Sequence, residues 1–400
     1  MTLHLGYCTN VHAGADLDQT KANLEQYACR VKQLFSPTQP MGVGLWLSAA
    51  AAQSLLDEGQ TPEFAAWLTD QGLHPFTMNG FPFGNFHQAE VKHKVYLPTW
   101  ADDQRRQYTH HLIDIHAQLL PPATEGSIST LPLLWGIPSP SSEVLAACAQ
   151  QLRQTAAYLA ETEARTGKLI HLCLEPEPGC ALQYSQDIVT FFEQHLLPGA
   201  DEPTLRRHVR VCHDVCHAAV MFEDQAEVLQ RYQAAGILVG KVQVSAAVLV
   251  DFEQIDPNDR AAAVEQLTAF QEPRYLHQTT IKTNADEPLT FYEDLPEALM
   301  ENAWPEQWTG QWRTHFHVPI YLEKFGWLTA SQSDILACLK AVPNFAPEVT
   351  HFEVETYAWG VLPTELQQPD LAAGIAQELA WFQNAVNDST HQRVTDTQFN

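Results

Sequence analysis

The chain has few basic residues and no long apolar segment. Lys and Arg number 22 against 48 Asp and Glu, so the formal net charge is −26. Such an acidic surface repels the phosphates of nucleic acids and anionic lipids, and we expect no nucleic-acid partner. No stretch approaches the roughly 18 uninterrupted apolar residues of a membrane span, so no membrane insertion is expected. Residues 1–7 lack the cationic and apolar regions of a signal peptide, which predicts a cytoplasmic protein.

Paired cysteines are also missing. The 8 cysteines are spread through the chain, mostly in apolar segments, which suits buried free thiols in a reducing compartment. Cys212 and Cys216 bracket His213 and Asp214 but form no C-x-x-C pair. A zinc–thiolate site is therefore the weaker alternative at this position.

No glycine-rich G-x-G-x-x-G turn follows the first apolar segment, which disfavours an open, doubly wound sheet. Instead, β-branched and aromatic runs alternate with helical patterns over most of the chain. This alternation predicts βα units around a parallel sheet, and eight units predict a closed (β/α)8 TIM barrel. The predicted strands are residues 3–9, 42–47, 75–79, 127–133, 169–174, 209–215, 238–245 and 352–356.

The length of 400 residues suits either one large barrel or two domains. We predict a single barrel over residues 1–386, with a loose polar tail over 387–400 because that segment lacks apolar periodicity. Residues 81–100 and 251–313 are predicted to be long inserted loops at the carboxyl-end face of the barrel. Such loops act either as lids over an active site or as ordinary packing elements.

Carboxylate or imidazole groups follow apolar segments four times from residue 173 onward. The segments read CLEPEPG at 173–179, CHDVCH at 212–217, HFHVP at 315–319 and FEVETY at 352–357. Because side chains alternate along a strand, Glu175 and Asp214 point into the barrel at the carboxyl ends of the fifth and sixth strands. The open alternatives are an exposed loop carboxylate for Glu175 and a helix N-cap for Asp214.

The same alternation predicts that Gln243 and Glu355 face inward on the seventh and eighth strands, with Glu353 deeper in the barrel. His315 and His317 form an H-x-H pair, a spacing that suits a metal on a strand but also fits two packed loop histidines. Charged groups at the ends of several apolar strands are costly to bury unless they bind a cation or carry out chemistry.

The pattern therefore predicts a divalent metal site, with a mixed O/N ligand set that suits Zn²⁺, Mn²⁺, Co²⁺ or Mg²⁺. The predicted metal ligands are Glu175, Asp214, Gln243, His317 and Glu355. The predicted catalytic residues are Glu175, Glu355 and His217, which follows Asp214 as D-x-x-H. The predicted contacts to a small polar metabolite are His315, Asn79, His12, Asn10 and His277. Loop capping is the open alternative for Asn10, His12 and Asn79.

These motifs resemble those of the xylose isomerase-like TIM-barrel superfamily, which includes sugar isomerases, ketose 3-epimerases and endonuclease IV. The resemblance implies metal-binding positions at Glu175, Asp214 with His217, Gln243 and Glu355. Gln243 departs from the pattern, because His is usual on the seventh strand. His315-Phe-His317 stands where endonuclease IV carries a D-x-H motif, with His in place of Asp.

The segments GYCTNVHAG, YLHQ and VETYAWGVLP resemble more closely those of EboE-type metabolite traffic proteins. That resemblance implies a role in metabolite handling or export, with a functional link to a prenyltransferase-like membrane protein and a sugar-phosphate-cyclase-like enzyme.

Three functions follow as hypotheses. The first is a metal-dependent isomerase or epimerase that acts on a sugar-like polyol or cyclitol by proton transfer. The second is a non-catalytic metabolite-binding protein with a degenerate metal site, which Gln243 favours. The third is an endonuclease IV-like phosphodiesterase, which the net charge of −26 disfavours.

Overall fold

Eight parallel strands form the centre of the protein in a computed structural model that describes residues 3–122, 124–284 and 286–398. These strands are β1 (His4–Tyr7), β2 (Met41–Trp46), β3 (Leu73–Asn79), β4 (Glu125–Thr130), β5 (Leu169–Leu174), β6 (Val209–Asp214), β7 (Val239–Val244) and β14 (His351–Val354). Their order around the sheet is β1-β14-β7-β6-β5-β4-β3-β2, and a parallel bridge between Cys8 and Gly44 joins the two ends. The predicted (β/α)8 barrel is thereby confirmed.

Helices surround the barrel and are set by local sequence signals. The helix that follows β4 begins after Ser141, whose hydroxyl accepts a hydrogen bond from the Val144 N–H, and is capped at its C-terminal end by Gly167 with a φ of 69°. Its buried face includes Leu152 and Leu159. The helices are α1 (Leu17–Asn23), α2 (Cys29–Phe35), α3 (Ala49–Asp57), α4 (Thr61–Asp70), α5 (Asp103–Leu119), α6 (Ser142–Thr166), α7 (Ser185–Phe191), α8 (Glu202–His208), α9 (Val215–Val220), α10 (Gln225–Ala234), α11 (Arg260–Thr268), α12 (Leu295–Glu301), α13 (Gln332–Phe345) and α14 (Leu371–Gln398).

The long insertion after β7 builds a second, six-stranded sheet rather than a loop. Its strands are β8 (Val248–Asp251), β9 (Thr279–Lys282), β10 (Thr290–Tyr292), β11 (Gln311–Thr314), β12 (Lys324–Phe325) and β13 (Leu328–Ala330). Neighbouring strands are antiparallel, in the order β10-β9-β11-β8-β13-β12. The sheet reaches beyond the predicted insertion boundary at residue 313.

The H-x-H pair does not lie on a strand, which corrects the prediction for residues 315–319. β11 ends at Thr314, and the Phe316 N–H turns back to the Thr314 carbonyl at 2.9 Å. The Val318 N–H then donates to the Ala246 carbonyl beside the barrel at 3.0 Å. The chain therefore leaves the inserted sheet at this point and crosses to the mouth of the barrel.

The C-terminal segment also differs from expectation, since α14 continues to Gln398 through the region predicted to be a loose tail. The start of α14 is anchored by buried Ile375, Leu379 and Phe382. Once a helix is nucleated by such packing, each added residue costs little, so helix can extend without an apolar face of its own. In the described part of the chain, no helix is both long and apolar enough to cross a membrane.

The barrel interior below its mouth is polar and paired across the strands. Lys241 on β7 lies 2.6 Å from Glu353 on β14, and the His351 ring contacts the Ser127 hydroxyl at 2.9 Å. His213 points the other way, because its ring bonds Gln225 of α10 at 2.7 Å. Strand alternation thus assigns these inward and outward faces correctly.

Candidate metal-binding and active site

Three carboxylates converge at the mouth of the barrel. Glu175 and Glu355 directly follow β5 and β14, and Asp214 is the last residue of β6. One carboxylate oxygen from each lies within 4.8 Å of the others, and all three residues are buried. These three side chains are called the carboxylate cluster below. All three belong to the five residues that the sequence predicts as metal ligands.

Glu355 is fixed by three side-chain amides. Its Oε1 accepts hydrogen bonds from Asn10 Nδ2 at 2.7 Å and Asn79 Nδ2 at 2.9 Å, and its Oε2 accepts one from Gln243 Nε2 at 3.0 Å. Asn10 and Asn79 also line the cavity above the cluster, within reach of a ligand. Their direct effect is to hold Glu355 in one orientation.

Asp214 is the N-cap of α9 and also belongs to the carboxylate cluster. Its Oδ1 accepts from the His217 N–H at 2.8 Å, as the N-cap of α9, and from the Ser245 hydroxyl at 2.8 Å. Its Oδ2 is buried and has no hydrogen-bond partner among the described residues. The cap therefore occupies one oxygen and leaves the other directed to the cluster.

Burial and mutual repulsion favour the protonated form of these acids. The pKa of Glu355 rises to about 8 because of burial, then the charges of Asp214 and Glu353. Burial followed by repulsion from Glu355 and Asp214 raises the pKa of Glu175 well above its ordinary value. Burial also raises the pKa of Asp214. A divalent cation would relieve both the repulsion and the desolvation.

The donor set fits such a cation. Glu175 Oε2, Asp214 Oδ2 and Gln243 Oε1 are buried without hydrogen-bond partners in the described part of the chain. Leaving buried oxygens unpaired is costly, and hard oxygen donors suit Mg²⁺ or Mn²⁺. The predicted divalent metal is therefore compatible with these residues.

Three imidazoles form a second group beside the first. His315 Nε2 lies 3.2 Å from both His217 Nε2 and His317 Nε2. His217 and His317 each place a nitrogen within 4.8 Å of an Asp214 oxygen. This group is called the imidazole triad below.

The second nitrogen of each ring in the triad faces an oxygen acceptor and so carries the proton. The acceptors are the Pro176 carbonyl at 2.8 Å from His217, Gln278 Oε1 at 2.8 Å from His315 and the Glu355 carbonyl at 2.6 Å from His317. The Nε2 lone pairs of His217 and His317 therefore each lie beside that of His315. Neutral imidazole nitrogens suit Zn²⁺, and the sets that could hold an ion here are Asp214 with His217 and His317, and Glu177 with His217 and His315.

The imidazoles are neutral at ordinary pH, as metal ligands must be. Burial lowers the pKa of His217 to about 3 and that of His317 to about 4. Burial and neighbouring histidines lower the pKa of His315 well below its ordinary value. His315 and His217 join the ligand candidates, beyond the His317 that the sequence predicts.

Glu177 is a buried site residue to which the sequence prediction assigned no role. Its Oε1 accepts from the Tyr96 hydroxyl at 2.9 Å and from Gln278 Nε2 at 3.1 Å. Burial raises its pKa to about 7. Its position two residues after Glu175 indicated that both side chains point to the same side, but Pro176 between them indicated a loop that leaves the barrel. Cys216 is similarly close to His315 and His317.

A cavity of about 550 Å³, counting its mouth, lies above the two groups. Its polar wall includes Glu175, Glu177 and Glu355 together with the imidazole triad. The rest of its lining is largely apolar and aromatic and comes mainly from the 81–100 loop and the inserted segment. The insertions therefore cover the site, as lids do.

Two predicted substrate contacts lie apart from this cavity. His12 stacks on Tyr27 with 4.6 Å between ring centres and bonds the Tyr7 hydroxyl at 3.0 Å. His277 bonds Glu272 Oε1 at 3.0 Å and the His315 carbonyl at 3.1 Å. Neither histidine is among the lining residues. Their contacts hold loops in place and do not reach the space where a ligand would bind.

No family model and no curated protein matches the chain. Solved structures share its fold. An L-ribulose 3-epimerase matches with 10% identity over 99% of this chain and 98% of its own, at a TM-score of 0.50. A xylose isomerase-like TIM barrel protein from Mycobacterium smegmatis, in complex with magnesium, matches with 10% identity over 97% and 98%, at 0.51. The likeness shows that the chain shares the TIM-barrel fold of these proteins.

Proposed function

We propose that this protein is a metal-dependent isomerase or epimerase that acts on a sugar-like polyol or cyclitol by proton transfer. The observation that carries the proposal is the convergence of Glu175, Asp214 and Glu355 within 4.8 Å beneath a covered cavity. The shared fold with an L-ribulose 3-epimerase supports the same reaction class. The resemblance to EboE-type proteins would place the reaction in the cytoplasmic handling of a metabolite for export.

The carboxylate cluster, with Gln243 Oε1, would hold one ion, and the imidazole triad would hold a second. Bound to adjacent oxygens of a substrate, such an ion would polarise them and acidify the neighbouring C–H bond. His317, predicted as a ligand, belongs to the triad.

Glu175 and Glu355 are the groups that would move the proton. Three amide donors prevent Glu355 from rotating, so its carboxyl keeps one orientation toward a bound substrate. Its pKa of about 8 belongs to the ion-free site, and a bound cation would lower this pKa, so that the ionised carboxylate would be present near neutral pH to accept the proton. Glu175 stands next to it with one unpaired oxygen, where it can serve as the second acid–base group.

His217 would bind the substrate rather than transfer protons. Its ring is held by the Pro176 carbonyl, and its low pKa of about 3 keeps it neutral. A neutral imidazole with its Nε2 lone pair toward the cavity accepts a hydrogen bond from a substrate hydroxyl whenever that nitrogen is not bound to a metal.

One observation favours a second candidate, a metabolite-binding protein without catalysis. Three amides already donate to Glu355, so fewer of its lone pairs remain for a metal than in a site with His in place of Gln243. A phosphodiesterase is not proposed. The basic residue among the described lining residues, Lys92, is already paired with Asp294.

The test is incorporation of solvent deuterium into polyols and ketoses by protein loaded separately with Mg²⁺, Mn²⁺, Co²⁺ or Zn²⁺, followed by NMR. We expect exchange at one carbon, lost at least 100-fold in Glu355→Gln, since a general acid–base group contributes about 10²–10⁴-fold. Glu306→Gln, at an exposed position, is the matched control. A Glu355→Gln protein that exchanges like wild type would refute the proposal. Tight binding with no exchange would favour the binding protein.

A further inference from the structure

Part of the cavity lining is built from aromatic and aliphatic side chains. Phe86 lies 4.9 Å from Tyr275 and 5.5 Å from Tyr357 between ring centres, and Tyr275 lies 5.0 Å from Tyr357. Val95 and Leu276 extend the same wall. These five residues are called the apolar wall below.

This wall is built from three separate segments, two of which are hydrogen-bonded to each other. The Val91 and Lys92 N–H groups donate to the Arg274 carbonyl at 2.7 and 2.9 Å. The Tyr275 hydroxyl donates to the Phe86 carbonyl at 3.2 Å, so its polar end is used and its ring remains for a ligand. The 81–100 loop and the insertion are thus held against each other.

A polyol without an apolar group fits this cavity poorly. Its hydroxyls project on all sides, and those turned to the apolar wall would lose their hydrogen bonds to water without replacement. A buried hydroxyl without a hydrogen-bond partner is unfavourable. The polar side of the cavity satisfies hydroxyls on one end of a ligand only.

Charge also disfavours a phosphate on the part of the ligand that lies away from the proposed ions. The described lining includes Glu175, Glu177 and Glu355, whereas its basic residue, Lys92, is paired with Asp294. Beyond the ions, which the polyol head would occupy, a phosphate would meet no free cationic side chain, and anion sites in proteins rely on such cations or on exposed N–H groups.

We infer that the substrate is an uncharged amphiphile, with a polyol head on the carboxylate cluster and an apolar substituent against the apolar wall. The inference rests on the proposed function and narrows its substrate class. The apolar substituent supplies binding energy away from the reacting carbons, which positions the head group for proton transfer.

The test uses 1,2-alkanediols from ethanediol to 1,2-hexanediol as probes, with dissociation constants measured by NMR titration of the Mg²⁺-loaded full chain. Each added CH₂ should tighten binding about fourfold, since burying a CH₂ contributes about 0.8 kcal/mol. Glycerol 1-phosphate should bind no tighter than glycerol. Equal affinities along the diol series, no detectable binding of hexanediol, or preference for the phosphate would each overturn the inference.

Val95→Ser should flatten the dependence on chain length, because Val95 lines the cavity and is only half-buried. Val264→Ser, at another half-buried valine that does not line this cavity, should leave it unchanged. Thermal unfolding of both variants checks that they fold. A chain-length dependence without deuterium exchange on any polyol would leave the inference standing and count against the proposed catalysis. Exchange without that dependence would do the reverse.

Discussion

Lys241 and Glu353 form an ion pair inside the barrel, with 2.6 Å between Nζ and Oε2 and neither side chain exposed. Lys241 lies two residues before Gln243 on β7, and Glu353 on β14 lies two residues before Glu355, which directly follows that strand. Glu353 lowers the cost of burying Lys241, and the lysine charge in turn moderates the repulsion among the carboxylates above it. The barrel interior therefore supports the site electrostatically.

Breaking this pair from one side should be costly. Glu353→Gln leaves the lysine charge buried without its counter-charge, and we expect a loss of about 3–5 kcal/mol in the free energy of unfolding. The double variant Lys241→Met with Glu353→Gln should lose less than Glu353→Gln alone, because no charge then remains unpaired. Urea unfolding of the three proteins checks this. A double variant that is less stable than the single one would contradict the prediction.

Gly44 provides the space that Glu353 occupies. A Cβ atom built on Gly44 would lie 1.3 Å from Glu353 Oε1, and the ion pair with Lys241 prevents the carboxylate from moving away freely. Gly44→Ala should therefore cost about 1–3 kcal/mol or more. Gly360→Ala is the matched control, since nothing lies within 4 Å of its added Cβ, and should change stability by less than about 0.5 kcal/mol. Equal melting temperatures for the two variants would contradict this account.

Proton release should report which group binds the metal. At pH 7 the Glu355 carboxyl, with a pKa of about 8, is largely protonated, so an ion bound by the carboxylate cluster must displace its proton. The release from this group should fall as pH rises above 8. The imidazoles of His217 and His317, with pKa values of about 3 and 4, are already neutral and release none. Calorimetric titration with Mg²⁺ and with Zn²⁺ in buffers of different ionisation enthalpy measures the difference.

In that experiment, Glu175→Gln should weaken the binding of the ion whose uptake releases protons. His315→Gln should weaken the binding of the ion whose uptake releases none. Metal binding that releases no proton at pH 7 in the wild-type protein would place the ion in the imidazole triad alone.

Glu378 on α14 should make stability depend on pH. It is buried and accepts hydrogen bonds from the Thr356 hydroxyl at 2.6 Å, the Ile320 N–H at 3.1 Å and Trp359 Nε1 at 3.1 Å. Burial raises its pKa from 4.5 to about 7. Between these values the folded state holds a proton that the unfolded state has lost, so the free energy of unfolding falls as pH rises through this window.

The shift corresponds to about 3 kcal/mol. Glu378→Gln cannot ionise, so its stability relative to wild type should improve by up to about that amount between pH 4 and pH 8. Chemical unfolding at both values measures the difference, with exposed Glu306→Gln as control. The same relative stability of Glu378→Gln at both pH values would refute the assignment.

Local signals were sufficient for the barrel and for its inward faces. β5 occupies residues 169–174 as predicted, and the other barrel strands differ from prediction mainly at their ends. Alternation along the strands brought Glu175, Asp214, Gln243 and Glu355 to one place, because parallel strands in a barrel end at the same face. These predictions depend only on neighbours in the chain and on the geometry of a strand.

The imidazole triad could not be predicted in this way. His315 and His317 follow the last residue of β11 in the inserted antiparallel sheet. The sequence prediction placed them on one face of a strand, whereas they lie in a segment that is not a strand. Glu177 is buried only because Tyr96 and Gln278, 81 and 101 residues away, close over it. His12 and His277 carry the same side chain as the triad, yet their distant partners direct them elsewhere.

The sequence by itself therefore determined the barrel, the inward direction of four strand-end side chains and the acidic character of the site. The tertiary structure decided which histidines face one another, which carboxylate oxygens stay unpaired and which apolar side chains cover the cavity. The physical reason is range. Periodicity and strand alternation act over a few residues, whereas burial, hydrogen-bond partners and the resulting protonation states depend on groups that are distant in the chain and meet only when it folds.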